Sequence, residues 1–160
     1  MDAANPNTLL QRPWLAHYPE GVPRDIDPTQ YRSLVALLEE SMRKNAQRPV
    51  TVCMERWMTY GELDEHSTAL GAWLQARGML PGARVAVMLP NVPQFMVAMT
   101  AILRAGYTVV NVNPLYTARE LEHQLKDSGA KAIVIIENFA ATLEQCIGAT
   151  PVKHVVLAAM

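Results

Sequence analysis

Two cysteines in 160 residues, Cys53 and Cys146, with no CxxC spacing, leave no disulfide framework and no thiolate metal cage. Reduced, buried thiols in a cytoplasmic protein are what this composition supports. Charge is equally scarce: 18% of residues are charged, half are hydrophobic, and the formal net charge is −1. Acids and bases are scattered along the sequence, so it offers no basic face to neutralise phosphates or an anionic membrane surface, and nucleic acid is not an expected partner. The first 13 residues are polar and proline-bearing and lack the basic start and apolar core of a secretory signal, which again points to the cytoplasm. The longest nearly unbroken apolar run, Phe95 to Leu103, is less than half of the roughly 20 residues that span a bilayer.

Nucleotide and metal signatures are missing too. The turn after Leu89 reads Pro-Asn-Val-Pro where a dinucleotide fold needs GxGxxG. The string Gly148 to Lys153 lacks the second glycine and the hydroxyl of a phosphate loop, and reads better as a helix stop followed by strand entry. His17, His66, His123 and His154 are scattered without HExxH-type spacing. His66 beside Asp64 and Glu65 has no Ser or Cys placed to receive its help, because adjacent helix residues point in different directions.

What is present is an alternation of two periods. Residues 1 to 30 hold Pro6, Pro13, Pro19, Pro23 and Pro28 without a sustained period, which predicts an extended arm, neither helix nor strand, over residues 1–32. Trp14 and Tyr18 are its expected anchors on its own domain, a lipid contact or a grip on a sister subunit being the alternatives. From Ser33 the apolar spacing of Leu34, Leu37, Leu38 and Met42 is one helical face ending near Lys44. Val50 to Met54 and Trp57 to Tyr60 read as a hairpin turning at Glu55-Arg56.

Thr59 and Glu62 form a capping box, in which hydroxyl and carboxylate each satisfy the other residue's backbone amide. The helix it starts buries Leu63, Leu70, Trp73 and Leu74 and stops at Gly78. Val85 to Leu89 is an uninterrupted apolar strand, as coverage on both faces requires. Asn91 and Pro93 open a helix with Phe95, Met96, Met99, Ile102 and Leu103 inward, its methionines being either core or the wall of an acyl tunnel. Gly106 ends it and Thr108 to Val112 is the next strand. A second capping box, Thr117 with Glu120, begins a helix that buries Leu121 and Leu125, pairs Glu122 with Lys126, and closes at Gly129. Strand Ala132 to Ile136, a short helix from about Phe139 to Ile147 and strand His154 to Ala158 complete the series. The expected class is α/β: strand-helix units forming a mainly parallel sheet covered by helices, over residues 33–160. A parallel strand normally hands over to a covering helix, so the stop at Met160 suggests a piece of a longer chain.

Three strings carry a family resemblance. Trp57-Met58-Thr59-Tyr60-Gly61-Glu62-Leu63 resembles the first core motif of the adenylate-forming superfamily, where T-Y-x-E-L opens a helix. Ile102 through Pro114 is similar to its second core motif, a helix end, glycine, strand and Asn-Pro, and Leu115 to Leu125 continues it in the form typical of acyl-CoA synthetases. Pro13-Trp14 through Tyr18-Pro19-Glu20-Gly21-Val22-Pro23 resembles the N-terminal arm of bacterial long-chain fatty acid ligases, a branch with which Tyr107 also agrees.

The resemblance implies an incomplete first subdomain of the acyl-CoA synthetase fold. It implies a full-length enzyme that joins a fatty acid to CoA through an acyl-adenylate, using ATP, Mg2+ and CoA and releasing AMP and pyrophosphate. The family's phosphate loop, adenine, magnesium and CoA contacts and catalytic lysine all lie beyond Met160. No catalytic, cofactor-binding or metal residue is therefore named in this chain, and it is expected to be inactive and to hold no cofactor alone. Its expected partners are the remainder of its own chain and, through that, the fatty acid; self-association and peripheral contact with the inner face of the membrane are the others. Two alternatives stay open: a ligase for medium-chain or aromatic carboxylates, and a stand-alone α/β binding or interaction module.

Overall fold

A computed structural model of the protein describes residues 12–159. Pro6 and the rest of the first eleven residues, on which the absence of a signal was read, lie outside the described residues, as does Met160. Contacts divide the chain into two units, Met1–Arg32 and Ser33–Met160.

In the first unit Pro13–His17 forms a short 3-10 helix, which corrects the expectation of an arm without helix. The cause is Pro13 itself, whose fixed φ and missing N–H suit a first helical position. Arg12 pairs with Asp25 at 2.7 Å, and Asp27 accepts from the amide and the hydroxyl of Thr29, so local polar contacts order what the prolines leave open. Trp14 and Tyr18 are exposed.

The second unit begins with helix α1 (Leu34–Lys44), whose N-cap Ser33 accepts from the Ala36 amide. Strands β1 (Pro49–Cys53) and β2 (Arg56–Thr59) form the expected antiparallel hairpin, with its turn one residue earlier than expected. Cys53 pairs with Arg56, leaving Met54 and Glu55 as a two-residue loop with φ of 48° and 64°. Both central residues take positive φ because that twist matches the flanking strands, even without the usual Asn-Gly.

Helix α2 (Tyr60–Gln75) follows directly, then β3 (Arg84–Met88), α3 (Pro93–Arg104), β4 (Thr108–Asn111), α4 (Ala118–Ser128), β5 (Ala132–Ile136), α5 (Ala140–Glu144) and β6 (His154–Ala158). Residues 137–139 and 147–149 are 3-10 turns, so the last expected helix is split into three short pieces. Strands β3 to β6 make one wholly parallel sheet in the order β4-β3-β5-β6. Val85, Val87, Ala132, Val134 and Ile136 face one core with α2 and α3, whereas Ala86, Met88, Ile133 and Ile135 face a second with α4 and α5. Period-2 alternation of two apolar sets, each worth about 2 kcal/mol per buried large side chain, explains why these strands read as unbroken hydrophobic runs. A smaller cluster of Met42, Met58 and Leu63 joins the hairpin to the helices.

Helix α3 corrects the expected inward set. Ala98, Thr100, Ala101 and Ile102 are buried, while Phe95, Met96, Met99 and Leu103 are only half-buried. On α2 the buried stripe likewise passes through Ser67 and Gly71 between Leu63 and Leu74, with Leu70 and Trp73 half-buried. Close approach is the reason: a Cβ on Gly71 would lie 3.3 Å from the Ala101 carbonyl oxygen, so small residues occupy the seam and larger ones flank it. Among the described residues no helix is long and apolar enough to cross a membrane.

The scattered charges also gather in space, correcting the expectation of no basic face. Parallel register sets Arg84, Lys131 and Lys153 side by side at the amino ends of β3, β5 and β6, where the Lys131 amide donates to Arg84 and the Lys153 amide to Lys131.

Both capping boxes form. Thr59 Oγ1 accepts from the Glu62 amide at 3.2 Å and Thr117 Oγ1 from the Glu120 amide at 3.4 Å, and each carboxylate reaches back to its threonine. The threonine backbone and hydroxyl hold both glutamates below their usual carboxylate range, the backbone amide leading for Glu62 and the hydroxyl for Glu120. A depressed folded-state value means that this contribution is complete above the ordinary glutamate range and is lost as pH falls through it. Thr59→Ala and Thr117→Ala should each cost about 1 kcal/mol at neutral pH by urea denaturation, with the gap to the parent protein narrowing as the glutamates protonate.

Candidate functional site at the carboxyl edge of the sheet

Open parallel sheets take ligands beyond the carboxyl ends of their strands, where successive connections leave for opposite faces. Here β3 leaves through α3 on one face and β5 through α5 on the other, so the parting lies between them, at Leu89-Pro90-Asn91 and Glu137-Asn138. The Val92 amide donates to the Pro90 carbonyl at 2.8 Å, closing a tight turn, and Pro93 occupies the first turn of α3 with no side-chain cap. A proline in that turn removes an amide that would otherwise face an anion.

Two glutamine amides hold the outer strands of this edge. Gln124 of α4 donates to the Asn111 carbonyl at the end of β4 at 2.9 Å, and Gln94 of α3 donates to the Ala159 carbonyl after β6 at 2.6 Å. In each the side-chain oxygen is buried with no hydrogen-bond partner. Asn113 accepts from the Leu115 amide at 3.0 Å and fixes the turn into α4. Neither glutamine tie has a short-range sequence signal, because each joins separate segments of the chain.

The exposed groups left at the edge are Asn91, Asn111, Asn113, Glu137 and Asn138: four amides and one carboxylate, with no cation, thiol or imidazole among them. Such a set can position and hydrogen-bond a neighbour; it contains no nucleophile paired with a base. A groove of about 670 Å³ runs beside it along α4, lined by Tyr116, Arg119, His123 and Asp127 among others. Its Thr117 and Glu120 are engaged in the capping box.

The histidines do not converge. His17, His66 and His123 are exposed on separate elements, and His154 begins β6 at the opposite edge. No cluster of three or more metal-ligating side chains occurs among the described residues. Cys146 is buried, and desolvation, assisted by the nearby Glu122 charge, pushes its thiol pKa up; Cys53 is half-buried, and both are free. A buried thiol of raised pKa is an unreactive packing residue.

Arg104 is the residue that sequence reasoning passed over. Its Nη1 donates to Asp64 Oδ1 at 2.7 Å, Ser67 Oγ at 2.9 Å and the Asp64 carbonyl at 3.2 Å, and its Nε lies 3.5 Å from Glu39. One guanidinium at the end of α3 thus ties α1 and α2 to the helix that leads into β4. Only its place inside the Ile102 to Pro114 string signalled it.

Residues 38–159 match the family described as AMP-binding enzyme. The chain is 52% identical over 152 residues to a long-chain-fatty-acid–CoA ligase of Escherichia coli O6:H1 strain CFT073, an alignment covering 94% of this chain and 27% of that protein. It spans about a quarter of the length of the curated relatives it matches. Among solved structures it resembles a long-chain-fatty-acid-CoA ligase from Archaeoglobus fulgidus, at 25% identity and TM-score 0.69 over 79% of this chain and 27% of that one. It also resembles an anthranilate CoA ligase solved with anthranoyl-AMP, at 22% identity and TM-score 0.75 over 80% of this chain and 25% of that one. The second likeness concerns the fold alone.

Arg104→Ala should destabilise the chain by about 1–2 kcal/mol, less than a fully buried charge-assisted cluster would lose because Asp64 and Glu39 are half in water. Thermal unfolding of the variant measures this, and an unchanged midpoint would contradict the tie between helices.

Proposed function

Because the chain belongs to the AMP-binding enzyme family, we propose that it is the N-terminal part of an ATP-dependent long-chain fatty acid–CoA ligase, supplying framework to an active site built by other residues. The observation that carries this reading is 52% identity across 94% of the chain to a protein of that name. The overall reaction joins a fatty acid, ATP and CoA into acyl-CoA, AMP and pyrophosphate through an acyl-adenylate. Residues 1–32 serve as an arm and 33–160 as part of the first α/β subdomain.

The carboxyl edge of the sheet does not fit ATP, Mg2+ or CoA. The five exposed groups between the strand ends include no cation to meet a triphosphate, the turn after β3 carries prolines where a phosphate cradle carries glycines, and no acidic cluster stands ready for a metal. No reaction step is assigned to these side chains, and the carboxyl edge alone is expected to hold none of the three. The contribution of its glutamines is to tie the outer strands β4 and β6 in place at this edge. On this reading the enzyme works in the cytoplasm, in peripheral contact with the inner face of the membrane.

The edge strand β6 exposes Leu157 and part of Val155, and an uncovered strand edge is a template for pairing. The isolated chain therefore self-associates where the rest of the enzyme would lie.

Carboxylate-dependent ATP–pyrophosphate exchange tests the reading, run on the complete enzyme that carries this segment and on the 160-residue chain. The complete enzyme should exchange with palmitate and not with benzoate, and the chain alone should be silent. Exchange by the chain alone would overturn the placement of the active site, and strict preference for benzoate would overturn the fatty acid assignment. Sedimentation of the same preparation reads self-association, against which a clean monomer at high concentration would count.

A further inference from the structure

The edge opposite the candidate site carries a concentration of positive charge. Three separate segments, Gly82-Ala83-Arg84-Val85, Gly129-Ala130-Lys131-Ala132 and Pro151-Val152-Lys153-His154, each place a cation just before or at the start of a strand. Parallel pairing in register then sets Arg84 beside Lys131 and Lys131 beside Lys153 at roughly the 4.8 Å spacing of adjacent strands. Arg77, which follows α2, joins them, its guanidinium 4.4 Å above the ring of Trp73. These four side chains and His154 line a hollow of about 600 Å³. No acidic residue is among the described residues that line it, and none of the four cations takes part in an ion pair among the described residues.

Like charges on neighbouring strands repel, so the arrangement is unfavourable without a counter-charge. The carbonyl ends of α2 and α4 offset part of it near Arg77, Lys131 and Arg84, whose guanidinium lies beside Gly129 at the end of α4, yet Lys153 stands at no such helix end. A concavity also focuses the field of the charges around it and raises the local concentration of anions.

We propose that this hollow binds a phosphoryl anion, either free or carried as the headgroup of an anionic lipid. A compact anion with several acceptor oxygens matches several cations converging from different strands. Leu80, 79% exposed at the rim, distinguishes the two sources: it would meet the apolar boundary beneath a headgroup layer, whereas a free anion has no use for it.

The test titrates inorganic pyrophosphate into the 160-residue chain by calorimetry and, separately, floats the chain with vesicles of phosphatidylglycerol or of phosphatidylcholine. It is repeated with Arg84→Glu/Lys131→Glu and with Arg43→Glu/Arg48→Glu, which makes the same change of net charge away from the hollow. All four substituted side chains are exposed, and circular dichroism checks that each variant keeps its fold. Saturable pyrophosphate binding, weakened about tenfold by the first variant and little by the second, supports the site with a free anion as its ligand. Flotation on phosphatidylglycerol but not phosphatidylcholine, lost in the first variant alone, supports it with a headgroup as the ligand. Absence of both, or equal loss in the two variants, overturns the proposal.

Discussion

Strands β3 and β5 are buried on both faces, and that double burial is the constraint from which the rest of the structure follows. All five residues of β5 and all but the first of β3 are out of water. A strand in that position needs a helix layer on each side, because an uncovered face would leave large aliphatic side chains in solvent. Helices α2 and α3 supply one layer, α4 and α5 the other, and the chain must cross between layers as it passes from β4 over β3 to β5. The parting of connections at the carboxyl edge is a product of that crossing.

What could be seen in the sequence were the signals that act over a few residues. The two threonine–glutamate boxes, the stop at Gly129 with φ of 66°, and the unbroken apolar runs each have a local cause and stand where they were expected. What could not be seen depends on partners distant in the chain. Gly71 and Ala101 are seam residues because two helices touch there, and no periodicity announces which apolar position will be crowded enough to demand a small one. Arg104 owes its role to Asp64, some forty residues away. Arg84, Lys131 and Lys153 look dispersed in sequence because parallel register, which brings them together, is a property of the sheet. The Met54-Glu55 turn was missed for the opposite reason: its residues are not those that positive φ favours.

The candidate site is correspondingly half legible. Its place at the parting of β3 and β5 follows from the strand order, but the glutamine ties that hold the outer strands, and the two buried oxygens they leave unpartnered, come only from tertiary packing. An edge lined by four amides and one carboxylate, with no cation among them, suits a supporting role. That agrees with a chain that belongs to the AMP-binding enzyme family and spans about a quarter of the relatives it matches.

Native-state hydrogen exchange tests the central constraint most directly. If the doubly covered pair organises the fold, the amides of Val85–Met88 and Ala132–Ile136 should exchange last and together, only through global unfolding, with β6 and the β1–β2 hairpin opening earlier. Exchange of β3 and β5 as fast as that of β6, or a hairpin that outlasts them, would contradict it.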